Sequence, residues 1–434
     1  MDSLQAQTST PPIAGPAVRR PSALTRIAVV GTLVLGLVMS PVSAAQAAPK
    51  AGPGQWYIKD YGIDKMWKKS TGKGVKVAVI DSGVNADHEN LKGVVGEAKD
   101  FSGLGKDGTT PIGGKDTIHH GTAVAGVIAG QGGGPGPTGV APDAEILSAS
   151  MWLGPDRPKG SGSTRDQAAD ALKWAVDSGA KVVNMSLGWD DPAWPQSWDE
   201  AFAYAYEKDV MVIACVGNAS QGATQAWSPS TVPGVIGVGG LGKDGKVLPA
   251  STAPGTAVDL MGPAVDIPIP YYSGGYAEGQ GCSFASPVVS GVAALMRAEN
   301  PGLSADEVTA KLLGTATPVA GHKGQTSNGK PDPIVGHGRI DPVAAMDADV
   351  PKSVPSAADA LTDWVTMHRR ADADASESET AAPDETNSPQ AVAPTDVVSS
   401  QSTPTTGYAV LAVGGAAAVI LLVLSGLAFL HRRR

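Results

Sequence analysis

Three residue types that together perform acyl transfer occur in this chain in the order aspartate, histidine, serine. Asp81 follows an apolar run and precedes Ser-Gly, His120 precedes Gly-Thr, and Ser283 lies in the segment Gly-Cys-Ser-Phe-Ala-Ser-Pro. A serine hydroxyl is a poor nucleophile at neutral pH; it needs a histidine to take its proton and a carboxylate to orient that histidine. The sequence therefore predicts Ser283 as nucleophile, His120 as general base and Asp81 as orienting carboxylate.

The strands that must position these residues follow from the apolar pattern. Residues 74–80, 181–187 and 210–216 are continuous apolar runs, which are typical of strands buried on both faces of a parallel sheet. Asp81 and Asn218 fall where two of these runs end. Ligands of such sheets lie at the carboxyl ends of the strands, so we expect the site at this edge.

Helical patterns lie between the strands. Residues 166–178 fit a helix that Gly179 ends, and Ser304 with Glu307 forms a capping box that begins another. A further helical pattern begins at Ser283 and would direct backbone N–H groups towards a developing oxyanion. Alternation of strands and helices predicts an α/β fold of three layers with a mostly parallel central sheet.

The segments around Asp81, His120 and Ser283 resemble those of the subtilisin-like serine proteases (subtilases), whose triad has this chain order. The resemblance extends over about residues 56–346. It implies the subtilisin-like fold, serine endopeptidase activity and a polypeptide substrate. An aspartate before Ser-Gly could by itself be only a turn residue, and Ser286 is a rival serine, which in subtilases is structural.

The resemblance also implies where the oxyanion and the substrate bind. Asn218 matches the family's oxyanion asparagine, whose amide would donate to the tetrahedral oxygen together with the Ser283 backbone N–H. Ser186, Leu187 and Gly188 match the segment that pairs with an extended substrate as an added strand. A Gly-Asn turn and a plain buried strand end are the simpler interpretations of these two segments.

Two residues beside the expected site depart from the family pattern. His119 stands where the family has Gly, and an imidazole there would crowd the cleft or change its charge at low pH. Cys282 stands where the family usually has Thr, and Cys215 shortly precedes Asn218, so both cysteines are expected near the oxyanion hole. Exported chains can form disulfides, so the two are either bridged or buried as free thiols.

No cofactor and no metal are expected. The calcium loop of subtilisins corresponds to residues 131–138, which contain no carboxylate, whereas calcium prefers several oxygen ligands that include acids. The histidines outside the triad lack a repeated metal-ligand spacing, so the sequence predicts no zinc site. A family propeptide domain does not fit between residue 47 and the first strand.

Both ends of the chain indicate export and anchoring. Residues 1–47 contain arginines, an apolar run and Ala-Gln-Ala, which predict a signal peptide, with a membrane anchor as the alternative. Residues 408–430 are uncharged and long enough to span a bilayer, and the basic tail 431–434 should stay in the cytoplasm. We therefore expect a single-pass protein of the cell membrane with an extracellular body. The segment 403–407 resembles a sortase signal, which would place the body on the cell wall instead.

The peptidase body is assigned to residues 48–350. Residues 351–406 are rich in Ala, Ser, Thr, Pro and acids and are predicted to be a disordered linker, in which only 358–370 favours a short helix. The formal net charge is -9, and the linker carries the acids Asp372, Asp374, Glu377, Glu379, Asp384, Glu385 and Asp396. The rest of the chain is near neutral and has no basic stripe, which excludes a nucleic-acid partner.

This domain order resembles the mycosin branch of the subtilases, which is associated with type VII secretion in actinobacteria. The resemblance implies a membrane-tethered protease with the type VII secretion machinery as its partner. Mycosins usually carry further cysteines, whereas this chain has two. The alternative function is a catalytically silent scaffold with the subtilase fold that supports a secretion complex.

Overall fold

The computed structural model describes residues 48–155, 157–322, 330–375 and 396–398. Four predicted segments lie outside these residues: the signal peptide 1–47, the sortase-like segment 403–407, the membrane helix 408–430 and the basic tail 431–434. Within the described ranges, no helix is both long and apolar enough to cross a membrane.

A seven-stranded sheet forms the centre of the body. Its strands are β1 (Lys76–Asp81), β2 (Val95–Asp100), β3 (Glu145–Ser150), β4 (Val182–Met185), β5 (Met211–Cys215), β6 (Ile236–Leu241) and β7 (Leu260–Pro263). They lie in the order β2-β3-β1-β4-β5-β6-β7, and every pair is parallel. The predicted mostly parallel sheet is confirmed, and its three predicted runs are β1, β4 and β5.

Both faces of the sheet are buried, which explains its continuous apolar runs. Successive side chains of a strand point to opposite faces. Val77 and Val79 of β1 belong to one hydrophobic core, whereas Ala78 and Ile80 belong to the other, and all four are fully buried. Each strand therefore supplies apolar residues to two cores rather than alternating with polar ones.

The helices complete three layers around this sheet. They are α1 (Trp56–Asp60), α2 (Ile63–Met66), α3 (His120–Ala129), α4 (Thr164–Asp177), α5 (Gln196–Glu207), α6 (Cys282–Glu299), α7 (Ala305–Gly314), α8 (Pro342–Asp347) and α9 (Ala357–Ala375). Helices α3 and α6 pack into the core on one face, and α4 and α5 into the core on the other. A small antiparallel sheet is formed by β8 (Ile267–Pro270), β9 (Tyr276–Gln280) and β10 (Asp396–Val398).

Helices α7 and α6 begin where local sequence patterns predict them. The Ser304 side chain accepts a hydrogen bond from the Glu307 backbone N–H at 3.1 Å, and the Glu307 carboxylate accepts from the Ser304 N–H at 2.8 Å. This capping box begins α7. Helix α6 is buried from residue 282 to residue 297, so the helix that begins at the predicted nucleophile runs through the core.

The residues before the first strand belong to the body itself. Tyr57, Ile58 and Ile63 are fully buried in the core shared with α3 and α6. Gln55 is 5% exposed, and its amide donates to the Thr138 carbonyl at 2.7 Å and accepts from the Thr138 N–H at 2.8 Å. Gln55 therefore holds the end of the segment 131–138, for which the sequence predicts no calcium site.

The prediction of a disordered linker beginning at residue 351 is wrong for its first part. Helix α9 is 19 residues long, extends beyond the expected 358–370, and packs against α5. The Trp364 and Trp194 rings lie 4.2 Å apart, and Leu361 is 2% exposed. The Arg369 guanidinium donates to the carboxylate of Asp199 at 3.0 Å. The apolar side chains of α9 pack against the body, and the Arg369–Asp199 ion pair adds to this contact. These interactions stabilise the helix although the composition of the segment is polar.

Loss of the α9 contact should destabilise the body. We expect Trp364→Ala to lower the free energy of unfolding by about 2 kcal/mol, since it removes a half-buried ring from its contact with Trp194. Met367→Ala on the same helix is the matched control, because Met367 is 68% exposed and should change stability by less than about 0.5 kcal/mol. Equal effects in denaturant titrations of the two variants would contradict the docking of α9.

Candidate active site

The carboxyl ends of three neighbouring strands bring the predicted site residues to one edge of the sheet. Asp81 is the last residue of β1, Ser186 directly follows β4, and Asn218 comes shortly after β5. Strands β1, β4 and β5 are adjacent and parallel, so their ends meet at the same edge. Helix α6 begins at this edge and adds Ser283.

The Asp81 carboxylate holds the His120 imidazole. His120 Nδ1 lies 2.9 Å from both Asp81 carboxylate oxygens, and both side chains are fully buried. The Ser82 backbone N–H donates to Asp81 Oδ1 at 2.7 Å. A buried carboxylate needs such donors, because an unpaired one would be very costly to remove from water. The contact fixes the imidazole so that Nδ1 faces the acid and Nε2 is the free ring nitrogen.

Glycine allows α3 to approach β1 closely enough for this contact. A Cβ on Gly121 would lie 2.5 Å from the Gly83 carbonyl oxygen, so a larger residue would push His120 away from Asp81. The Gly121 N–H also donates to the Ser82 hydroxyl at 2.9 Å. The glycine after His120 is thus explained by the close approach of α3 to the chain after β1.

Ser283 lies in the first turn of α6, and its hydroxyl does not hydrogen-bond to the imidazole. Ser283 Oγ donates to the Ser186 carbonyl at 3.1 Å. His120 Nε2 is buried and has no hydrogen-bond partner among the described residues. The His120 ring lies 5.9 Å from the ring of Phe284, the residue after the serine. The structure therefore brings the acid and the base together and places the serine beside them without a serine–histidine hydrogen bond.

A buried polar network joins β4 to α6. Ser186 Oγ donates to the Ser283 carbonyl at 2.8 Å and lies 3.0 Å from Ser286 Oγ. Asn184 donates to Ser186 Oγ at 2.8 Å and accepts from Ser290 at 2.9 Å. The rival serine Ser286 thus belongs to a structural network. The sequence interpretation missed Asn184 and Ser290, whose only signal is that they are polar residues within apolar runs.

Asn218 is oriented by the turn that precedes the nucleophile. Its amide oxygen accepts from the Cys282 backbone N–H at 3.1 Å, and the side chain is 2% exposed. A Cβ at Gly281 would lie 3.0 Å from Asn218 Nδ2. The amide oxygen is therefore occupied, and the NH₂ group lies beside the turn that leads into Ser283.

The structure joins Cys215 and Cys282 in a disulfide with Cα atoms 5.1 Å apart, within the range that a bridge requires. Cys215 Sγ also lies 4.0 Å from Ser283 Oγ. The bridge connects the end of β5 to the start of α6. It therefore restrains the two elements that carry Asn218 and Ser283.

His119 is buried beside the Asp81–His120 pair rather than exposed in a cleft. The residue is 6% exposed, and its ring stacks on Tyr271 with centroids 5.7 Å apart. Neither ring nitrogen has a partner within the described part of the chain. Burial, with a smaller contribution from the neighbouring His120, lowers the pKa of His119 to about 4. The imidazole is thus neutral over most of the physiological range.

The loop expected to lack calcium is held by hydrogen bonds. The Gly132 N–H donates to the Pro137 carbonyl and the Gly139 N–H to the Gly130 carbonyl. Among the described residues, no cluster of three or more His, Cys, Asp or Glu residues could hold a metal. The absence of calcium stays a prediction.

Comparison with known proteins decides the family. The model of the subtilase family, peptidase S8, matches residues 72–338. The chain belongs to the subtilase family. It is 36% identical over 271 residues to a thermophilic serine proteinase of Bacillus sp. (strain AK1), with 62% of each chain covered.

The mycosins are also similar to this subtilase. It is 35% identical over 343 residues to Mycosin-4 of Mycobacterium tuberculosis (strain ATCC 25618 / H37Rv), a match that covers 69% of this chain and 70% of the mycosin. The solved structure of the MycP3 protease from the type VII (ESX-3) secretion system superposes with a TM-score of 0.56 at 28% identity, over 70% of this chain and 90% of that one. The chain spans less than two thirds of the length of the Bacillus proteinase.

The lowered pKa of His119 should appear in the pH dependence of stability. The unfolded chain binds a proton at His119 near pH ~6.5, whereas the folded chain binds it only near pH 4, so stability falls as the pH drops through this window. Relative to His119→Gln, the wild type should lose about 3 kcal/mol between pH 7 and pH 4. If the free energies of unfolding of the two proteins change in parallel from pH 8 to pH 4, the prediction is wrong.

Proposed function

We propose that this subtilase is an exported, membrane-tethered serine endopeptidase that hydrolyses peptide bonds through an acyl-enzyme intermediate. One observation carries the proposal: the fully buried Asp81–His120 contact, with both oxygens 2.9 Å from Nδ1, leaves His120 Nε2 without a hydrogen-bond partner among the described residues. Membership of a protease family supports it. No cofactor takes part.

The first step is attack on the scissile carbonyl. Rotation about χ1 of Ser283 exchanges the Ser186 carbonyl for His120 Nε2, a contact that in such enzymes often tightens only when substrate binds. Ser283 Oγ then bonds to the carbonyl carbon while its proton passes to His120 Nε2. Asp81 keeps the tautomer and stabilises the imidazolium that forms.

The oxyanion is received at the start of α6. The backbone N–H of Ser283 belongs to the first turn of the helix and has no acceptor within it. The Asn218 NH₂ group supplies a second donor, because its amide oxygen is held by Cys282. Collapse of the tetrahedral intermediate breaks the C–N bond, and His120 gives its proton to the leaving amine. Water, activated by the same histidine, then hydrolyses the ester and frees Ser283.

The substrate would be recognised through its main chain. The Ser186 side chain is committed to the network with α6, so Ser186, Leu187 and Gly188 offer their backbone to an extended peptide as a neighbouring strand. Such pairing gives affinity that depends little on sequence. A polypeptide is therefore the substrate class.

The alternative of a catalytically silent scaffold has no specific support in the site. A silent protein would have no need to bury an acid against a histidine with an unpartnered Nε2. Similarity to Mycosin-4 and to the MycP3 protease from a type VII secretion system supports a type VII secretion machine as partner of an active protease.

Replacement of Ser283 tests the activity. Ser283→Ala should lower kcat by ~10⁶, which is the loss known for subtilisin, a relative. The same substitution should abolish labelling by a fluorophosphonate probe. Asn218→Ala should lower kcat by ~10²–10³, again the scale of subtilisin. Ser286→Ala is the matched control and must still be labelled. Labelling of Ser283→Ala at the wild-type rate would refute the assignment.

Deletion of the C-terminal segment tests the tether. A chain that ends at residue 402 lacks both the sortase-like segment and the apolar run, and it should appear in the medium. The full chain, and a chain that ends at residue 430 as the control, should sediment with membranes until detergent is added. Release of the full chain by cell-wall digestion alone would support sortase attachment instead, and a full chain found in the cytosol would contradict export.

A further inference from the structure

The gap beside the candidate nucleophile lies between two backbone segments. One follows β4 and includes Ser186, whose carbonyl is 3.1 Å from Ser283 Oγ. The other follows β5 and includes Asn218, which holds the Cys282 N–H. In the proposed reaction the acyl main chain lies along the first segment and its oxyanion points to the second. The side chain of the residue on the acyl side of the scissile bond must therefore enter the gap between them.

Each of the two segments has a glycine facing this gap, and both glycines meet the same side chain. A Cβ at Gly188 would lie 2.9 Å from the Ser228 carbonyl oxygen and 3.1 Å from both Cβ and Cε3 of Trp227. A Cβ at Gly217 would lie 2.8 Å from Trp227 Cδ2 and 2.9 Å from Cγ. A glycine that lined an open slot would face empty space, as Gly222 does, with nothing within 4 Å of its built Cβ. The indole therefore fills the space that the missing side chains leave.

The indole is held in place from several directions. Trp227 is 1% exposed, and its backbone N–H donates to the Val216 carbonyl at 3.0 Å. Its indole N–H donates to the Asp190 carboxylate at 2.7 Å. Next to it, the Trp189 N–H donates to the Ser228 carbonyl at 2.9 Å. Displacement of the ring would break its bond to Asp190 and expose a large apolar surface.

We propose that Trp227 determines the substrate specificity of this subtilase by filling the pocket for the acyl-side residue, so that only small residues such as Gly, Ala and Ser are accepted there. The proposal rests on the proposed function, because it concerns the same site. A larger side chain would have to displace a ring that is packed between two backbones. The enzyme then selects a cleavage point by the smallness of one residue, whereas main-chain pairing supplies affinity.

The test uses peptides that differ only at the acyl-side residue, which is Ala, Leu or Phe. The wild-type kcat/KM should be at least about 50-fold higher for Ala than for Phe, a scale typical of a pocket that excludes larger groups. Trp227→Ala should raise the Phe/Ala ratio by at least about 50-fold. Trp174→Ala, which removes an indole that packs on Phe101, is the matched control and should leave the ratio unchanged.

The outcomes separate this proposal from the proposed function. Titration of active sites with a fluorophosphonate counts functional Ser283 in each variant, so a poorly folded preparation is corrected for. A wild type that cleaves the Phe or Leu peptide as well as the Ala peptide overturns the proposal, whether or not Trp227→Ala folds. An unchanged ratio in a titratable Trp227→Ala also overturns it. Absence of both labelling and hydrolysis in the wild type would instead overturn the proposed function.

Discussion

The packing of one buried helix, α6, against a face of the parallel sheet, with its start at the carboxyl edge, is the constraint on which the site depends. Helix α6 is buried over residues 282–297, and its start is fixed by polar contacts rather than by apolar packing alone. Ser186 reaches the Ser283 carbonyl and Ser286, and Asn184 reaches Ser290. Hydrogen bonds inside an apolar core fix one register, because a slipped helix would leave these groups unpaired. The position of Ser283, the candidate nucleophile, is therefore a property of the core.

His120, the candidate general base, depends on the same edge through a different contact. Asp81 ends a strand at the centre of the sheet, and His120 begins a helix that Gly121 allows to lie close to Gly83. Acid and imidazole are fully buried, so each would be costly without the other. His119 extends this environment, since burial keeps its imidazole neutral and adds no second charge beside the base. The site is thus a buried edge of the sheet in which Asp81 contacts His120 and the neighbouring imidazole of His119 stays neutral.

Much of the fold could be predicted from the sequence because it depends on local signals. Apolar runs gave β1, β4 and β5, the capping box gave α7, and the spacing of three short motifs gave the triad candidates and their family. Helix α9 was underestimated, because its stripe of Leu361 and Trp364 is stabilised by a surface on α5 that the local composition cannot reveal. The orientation of the Ser283 hydroxyl is likewise a property of three-dimensional contacts.

Residues that act through packing were the hardest to find. Trp227 lies between β5 and β6 outside the motifs that the sequence identifies, and its contacts with Gly188 and Gly217 depend on the meeting of the segments after β4 and β5. The pairing of Cys215 and Cys282 needed the distance between β5 and α6, for which the sequence left two alternatives open. Residues that carry out chemistry can be recognised in the sequence by their type and spacing. Residues that shape a pocket can be recognised only from their contacts in the folded structure.

A crystal structure of the protein inactivated by a peptidyl phosphonate, with alanine next to phosphorus, tests most directly whether Ser283, His120, Asp81 and Asn218 form one catalytic site. We expect phosphorus bonded to Ser283 Oγ, with this oxygen rotated away from the Ser186 carbonyl. One phosphonyl oxygen should lie within hydrogen-bond distance of Asn218 Nδ2 and of the Ser283 N–H, and Asp81 should still contact His120 Nδ1. An adduct on any other residue, or a phosphonyl oxygen directed away from Asn218, would contradict the account.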